Sequence, residues 1–343
     1  VPDHQSVGAR VAEERKRRAE RELHSVVPAL RRELAAYCAE LDGEVPPRPF
    51  DQLRAGVAEA SRLRHEVNLS SLGASLPALL AEIRTALHAA RQNEKERIYA
   101  LLAEAYYAAS QVAWKLGYAD LASLGVDRYV WAAGRSGDEL AVLVGDYQRA
   151  GEMIAVADWT AAQRFLEKSR SVIEPRLGKA SSDTLQVSGS LHLKSGLAAA
   201  RAGDLDTADA HLAEARETAE RIGSDGDAYR LAFGPTNVNI WAVALAVEAN
   251  NGTEAVQRAA DFRIPSDTPR ERIGHHWIDL SRGYLLHGDR EKALSALLLA
   301  KRTAPQQTRY HPMVHETIRN LVRSERRRSD TAAGFAAWVG VTV

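Results

Sequence analysis

The stretch Trp277-Ile-Asp-Leu280-Ser-Arg-Gly-Tyr284, followed by Gly288-Asp289 and then by Ala293, Leu297, Ala300 and Pro305, decides the fold of this chain. Trp277, Leu280 and Tyr284 fall at i, i+3 and i+7, which is one face of a helix. Gly288-Asp289 is a turn, and Ala293, Leu297 and Ala300 form the matching face of a second helix. Small side chains at Ala293 and Ala300 let the two backbones approach, and Pro305 is expected to stop the pair. Such a hairpin cannot bury its apolar face alone, so it requires stacked neighbours.

The same punctuation recurs upstream. Gly203-Asp204 precedes Ala208, Gly117-Tyr118-Ala119-Asp120 precedes Ala122, Ala157-Asp158 precedes Ala162, and Asn251-Gly252 precedes Ala255. The spacing of Trp277 to Pro305 resembles the tetratricopeptide repeat, whose pattern runs W-x2-L-G-x2-Y, then A, then an aromatic or aliphatic residue, then P. The resemblance implies an all-α solenoid, a right-handed superhelix of paired helices. The small residues 122, 162, 208, 255 and 293 are separated by 40, 46, 47 and 38 residues. Those intervals exceed the minimal unit of about 34 residues, so extended loops or helices are expected. Gly196, Ala208, Leu212 and Ala215 form a second such unit, and Leu69 to Leu87, with Gly73 at a close-packing position, reads as the closing helix of a degenerate first one. Five to six hairpins follow.

Local chemistry sets the boundaries. Thr268-Pro269-Arg270-Glu271 reads as a capping box with proline at the first helical position, and Asp183 with Gln186 as a similar start. Residues 223–227 and 262–268 read as loops. The proline-rich stretch 44–50 separates a leading helix, about 28–41, from the array. After Pro312 a last helix, about 314–326, is expected to cap the stack with a polar outer face. The expected organisation is a remnant N-terminal region over 1–27 and a repeat domain over 28–343.

Composition narrows the class. Apolar residues make up 45% of the 343 residues and aromatics 6%, which suits an Ala/Leu-rich helical core. Lys+Arg and Asp+Glu are equal at 45 each, so net charge does not mark a nucleic-acid coat. Cys38 alone excludes an internal disulfide and, in the apolar run of the leading helix, reads as a buried thiol. No membrane-length apolar run and no signal-peptide pattern occur, so a cytoplasmic location is expected.

Three blocks go beyond generic repeat packing: Phe233-Gly-Pro-Thr-Asn-Val238, Gly274-His-His-Trp-Ile-Asp-Leu280 and Ala304-Pro-Gln-Gln-Thr-Arg-Tyr-His-Pro312. With them, residues from about 28 to 341 resemble the repeat region of actinobacterial Xre-type helix-turn-helix regulators. The opening Ser6-Val-Gly-Ala-Arg-Val-Ala-Glu-Glu-Arg-Lys-Arg-Arg18 is similar to the first helix of their DNA-binding domain. The resemblance implies phosphate contacts from Arg15, Lys16, Arg17 and Arg18. It also implies a DNA partner where an intact helix-turn-helix domain is present. The chain departs from the family after Arg18, where Ala19-Glu-Arg-Glu-Leu23 replaces the recognition helix. Two alternatives remain: a shortened relative, or a segment missing from the sequence between Arg18 and Ala19.

Catalytic motifs are weak. His311 and His315 stand four apart but lack further metal ligands. Gly178-Lys179 lacks the first glycine of a phosphate loop, because Ile173 stands there. No nucleophile elbow or acid/base pair is found, so neither an enzyme nor a cofactor is expected.

The first helices of stacked hairpins line a concave surface, which is where ligands bind. Projection from the packing residues places Tyr107, Gln111, Trp114, Tyr147, Arg201, Asn237, His275, Asp279 and Arg282 on or beside it. The competing reading puts Trp114 and Tyr147 in the inter-repeat core. Thr236 and Asn237 open a helix after Gly-Pro, where backbone N–H groups favour an anion; plain capping by Thr236 explains them equally. The expectation is a ligand-responsive transcriptional regulator, a homodimer whose repeats bind a small molecule or peptide. The alternative is a repeat scaffold that binds a partner protein without touching DNA.

Overall fold

The computed structural model describes residues 21, 23–39, 46–260, 262–324 and 330–341. Among them there is no strand, and the α-helices are α1 (Val27–Ala35), α2 (Phe50–His65), α3 (Leu69–Ala89), α4 (Lys95–Lys115), α5 (Ala119–Ala133), α6 (Glu139–Ala155), α7 (Trp159–Ile173), α8 (Ser182–Arg201), α9 (Leu205–Ile222), α10 (Pro235–Glu248), α11 (Gly252–Ala260), α12 (Arg270–His287), α13 (Arg290–Thr303), α14 (Pro305–Tyr310), α15 (Pro312–Ser324) and α16 (Asp330–Val339). The fold class is all-α, built as a solenoid of helical hairpins. The chain divides into two compact units, Val1–Arg64 with Asn68–Tyr129 and His65–Val67 with Val130–Val343. Arg15, Lys16, Arg17 and Arg18 lie outside the described residues.

One turn, used six times, builds the hairpins. Val67, Gly117, Ala157, Gly203, Asn250 and Gly288 all take left-handed backbone, with φ between 56° and 95°. After each, the next N–H donates to a carbonyl five residues back, as in Asp289 to Tyr284 at 2.9 Å and Asp204 to Ala199 at 3.0 Å. This is the geometry that closes a helix C-terminus. Asn68, Asp158, Asp204, Asn251 and Asp289 then accept the N–H three residues on, capping the second helix. The left-handed residue in the fifth turn is Asn250, one position earlier than the Asn251-Gly252 reading. Gly252 serves close approach instead, since a Cβ there would lie 2.6 Å from His287 N.

In the first unit, Leu69, Leu72, Leu76, Leu80 and Ile83 of α3 are buried together with Leu30 and Leu34 of α1, Leu53 of α2, and Leu102 and Tyr106 of α4. Gly73 is where α3 meets the segment before α1, since a Cβ there would meet Val26 Cγ2 at 2.7 Å. Cys38 is exposed, not buried, because α1 ends at Ala35 and leaves it in a turn.

In the second unit, successive apolar clusters each join one hairpin to the first helix of the next. Ile154, Ala162 and Ala198 join α6, α7 and α8. Leu193, Ala208, Leu212, Ala215, Val238 and Leu245 join α8, α9 and α10. Val247, Ala255 and Leu280, with Trp277 and Tyr284, join α10, α11 and α12. Ala293, Leu297 and Ala300 pack with Ile278, Val314, Ile318 and Phe335, so α15 and α16 cover the last hairpin. Pro305 therefore does not simply stop the pair; it opens the short helix α14. The helix expected after Pro312 is α15, with Glu316, Arg319, Asn320 and Arg323 on its exposed side, but it is not the last: the apolar helix α16 follows it.

Several starts differ from the sequence reading. The N-cap of α12 is Pro269, with no side-chain cap, because Glu271 is buried and pairs with Arg272. Helix α8 is capped by Ser181, which accepts Thr184 N–H, while Gln186 Oε1 accepts Ala228 N–H.

Candidate functional site

The first helices α6, α8, α10 and α12 pack side by side in the second unit. Helical spacing aligns side chains along them: Tyr147 and Gly151 on α6, Lys194 and Arg201 on α8, Asn237, Trp241 and Glu248 on α10, and Asp279 and Arg282 on α12.

Two different electrostatic environments lie on this surface. At one, Glu248 accepts Arg201 Nε at 2.7 Å and Arg282 Nη1 at 2.6 Å, while Arg282 also reaches Asp279 at 3.4 Å. Burial raises the Glu248 carboxyl, but Arg282 and Arg201 outweigh that and hold it below its ordinary value. Asp279 goes the other way. Its burial raises it to about 6, with Arg282 opposing and Glu248 adding to the rise. Four charges from three helices thus share one network.

At the other, Lys194 has no carboxylate within ion-pair distance among the described residues. Its Nζ lies 4.1 Å from the Tyr147 ring centroid and 5.8 Å from that of Trp241, in cation–π contact. Burial, then the positive charges of Arg272 and Arg201, lower its ammonium to about 7. A Cβ on Gly151 would lie 3.5 Å from Nζ, so the glycine keeps that approach open. On α6, one position after Tyr147, Gln148 is 7% exposed and neither of its amide atoms has a partner. Asn237, 5% exposed and one turn before Trp241, has an unpartnered Oδ1. Buried amides without partners are uncommon and call for an explanation.

The sequence-derived residues divide between the units. Tyr107, Gln111 and Trp114 belong to α4 of the first unit. Tyr107 is core: it is buried, with the Arg64 guanidinium 4.9 Å from its ring and Tyr129 edge-on at 6.0 Å. Gln111 is half-buried and Trp114 is 53% exposed. Tyr147, Arg201, Asn237, Asp279 and Arg282 stand on the first helices of the second unit, where Asn237 is buried and Arg201 and Arg282 are already paired. His275 packs edge-on against His311 at 5.6 Å.

Thr236 needs correction on both of its readings. Its side chain caps nothing, and its N–H donates to Asp225 Oδ1 at 3.0 Å. The carboxylate of Asp225 thus holds the α10 N-terminus, which leaves that end no call for an external anion. The block around it has a packing reason as well. Phe233 is buried against Gly189, where a Cβ would collide with its ring. The block from Ala304 is likewise structural: Gln307 is buried and donates to Glu271 O at 3.3 Å. His315 Nε2 lies 2.6 Å from Arg309 O and so donates to a carbonyl.

Lys194, Trp241, Gln148 and Glu248 were not read from the sequence as site residues. The signal was periodicity: Lys194 stands seven residues before Arg201, and Trp241 and Glu248 stand four and eleven after Asn237.

No family model and no curated protein matches the chain. Among solved structures, the crystal structure of BtubC (BKLC) from P. vanneervenii matches at a TM-score of 0.39 and 17% identity, covering 81% of this chain and 96% of that one. Among the described residues no helix is long and apolar enough to cross a membrane.

Proposed function

We propose that the repeats form a ligand-binding domain, not an enzyme, and that it serves a bacterial transcriptional regulator of the Xre type as a homodimer. The ligand is a small molecule or short peptide held against α6, α8, α10 and α12. The observation that carries the binding reading is the buried Gln148 amide with neither atom partnered, together with the unpartnered Asn237 Oδ1, on the two helices that carry Tyr147 and Trp241. Polar groups buried without partners destabilise a fold, and a ligand that satisfies them recovers that loss. The regulator reading rests on the resemblance of residues 6–18 and of the three sequence blocks.

Thermal-shift screening of metabolites and short peptides tests the binding. A ligand that raises the melting temperature of the parent and not of Trp241→Ala supports it; one that acts equally on both places its site elsewhere. Selection from random-sequence duplexes tests the regulator reading. Enrichment of a palindrome supports it, and no enrichment favours a scaffold that binds a protein partner.

A further inference from the structure

We propose that the surface around Lys194 is a site for an oxyanion, the carboxylate or phosphate group of the ligand. The inference rests on the ligand-binding reading of this face and assigns the chemical class that it takes.

Three independent features converge there. The first is a cation without an anion: Lys194 Nζ sits between the Tyr147 and Trp241 rings, and no described carboxylate pairs with it. The ion pairs nearby are complete, with Arg201 and Arg282 on Glu248 and Arg272 on Glu271, so those acids are engaged elsewhere. A half-buried ammonium contacted by ring faces and without an acid gains from a negatively charged partner.

The second is a buried donor without an acceptor, the Gln148 amide. Gln148 follows Tyr147 directly and shares a helix face with Gly151, the residue whose missing Cβ faces Nζ. Its buried amide has neither atom paired. Asn237, on the same face of α10 as Trp241, leaves its Oδ1 acceptor unpartnered and so is not one of the donors. The Gln148 amide offers two N–H donors, and the ammonium offers three. An oxyanion needs donors of this kind, and charge-assisted bonds of this type are the strong ones.

The third is space and field. Gly151 leaves an approach to Nζ that any larger residue would narrow. Arg272 and Arg201 add positive potential at the ammonium, Arg272 the more. Both arginines are paired with acids of their own, so the charge left for a ligand to compensate is that of Lys194; a neutral ligand would leave it unpaired, and a cationic one would be repelled.

Isothermal calorimetry with inorganic phosphate and, separately, acetate tests this, with ionic strength held constant by chloride. The expected result is saturable one-to-one binding of at least one anion. Lys194→Met and Gln148→Leu each weaken it about ten- to a hundred-fold, and Lys168→Ala, a change at an exposed lysine, leaves it unchanged. Tighter binding of phosphate identifies a phosphoryl ligand, and tighter binding of acetate a carboxylate. Both site variants remove unsatisfied groups and are expected to fold at least as well as the parent. No saturable binding of either anion, or equal affinity in Lys194→Met, overturns the proposal. A screened ligand lost in Trp241→Ala but indifferent to Lys194→Met and Gln148→Leu also overturns it, while leaving the ligand-binding function standing.

Discussion

Arg282 of α12 donates to Glu248 of α10 at 2.6 Å, and the same carboxylate accepts Arg201 of α8 at 2.7 Å. One side chain therefore ties three successive first helices. Glu248→Leu leaves Arg201 without its anion and Arg282 with Asp279 alone, in a half-buried setting. Urea unfolding is expected to show a loss of about 3 kcal/mol, the scale of breaking a buried pair from one side. A loss under about 0.5 kcal/mol would mean that the network is an ordinary surface one.

The packing of α12 against α13 makes a sharper mutational contrast. Ala293 is fully buried in the cluster with Ile278 and Leu297, whereas Ser295, two residues on, is exposed. Ala293→Arg is expected to destabilise by several kcal/mol, because an unpaired charge cannot be housed where two backbones meet. Ser295→Arg should stay within about 0.5 kcal/mol of the parent. Equal melting temperatures for the two variants would refute the hairpin packing.

Much of this was legible in the sequence. The turn chemistry at Gly203-Asp204 and Gly288-Asp289 gave the hairpins, because glycine in left-handed backbone followed by a capping aspartate is a local signal. The turn at Val67-Asn68 was not legible as one, since a β-branched residue at φ 57° contradicts local preference and is held there by its surroundings. Helix α16 was missed because its burial against Val314 and Ile318 is a tertiary fact. The site divided along the same line. Periodicity put Tyr147, Asn237 and Asp279 on first helices of the second unit, as the structure has them, but Tyr107 projects as a surface residue and is in the core. Nothing in the sequence indicated that Arg201 and Arg282 share an acid, which depends on Glu248 standing opposite both.

Strain at the turns gives a stabilising variant. Ala157 is exposed, with φ 62°, in a conformation that costs an L-residue roughly 1–2 kcal/mol. Ala157→Gly relieves that cost and gives back about 0.4–1 kcal/mol through the more flexible unfolded chain. A net gain of about 0.5–1 kcal/mol is expected in chemical denaturation. A loss would show that the turn does not hold Ala157 in left-handed backbone.

Lys194 makes stability depend on pH. Its folded-state value of about 7 lies below the ordinary 10.5, so the folded chain binds that proton more weakly than the unfolded chain does. The associated stability is complete above about pH 10.5 and is lost as pH falls through 7. Lys194→Met removes this penalty. It is expected to raise the melting temperature at pH 6 by about 2–4 °C for each kcal/mol recovered, with a gain that shrinks toward pH 10. A gain independent of pH would assign the effect to packing alone.

The most direct measurement of the oxyanion site follows the titration of Lys194 itself. In chains labelled with carbon-13 at lysine Cε, the Lys194 resonance is the one missing from Lys194→Arg. The account predicts that it titrates near pH 7 in chloride and moves upward by about one unit or more in saturating phosphate or acetate, as for an ammonium that gains an anion. A Lys194 resonance that titrates at the same pH with and without either anion would contradict it.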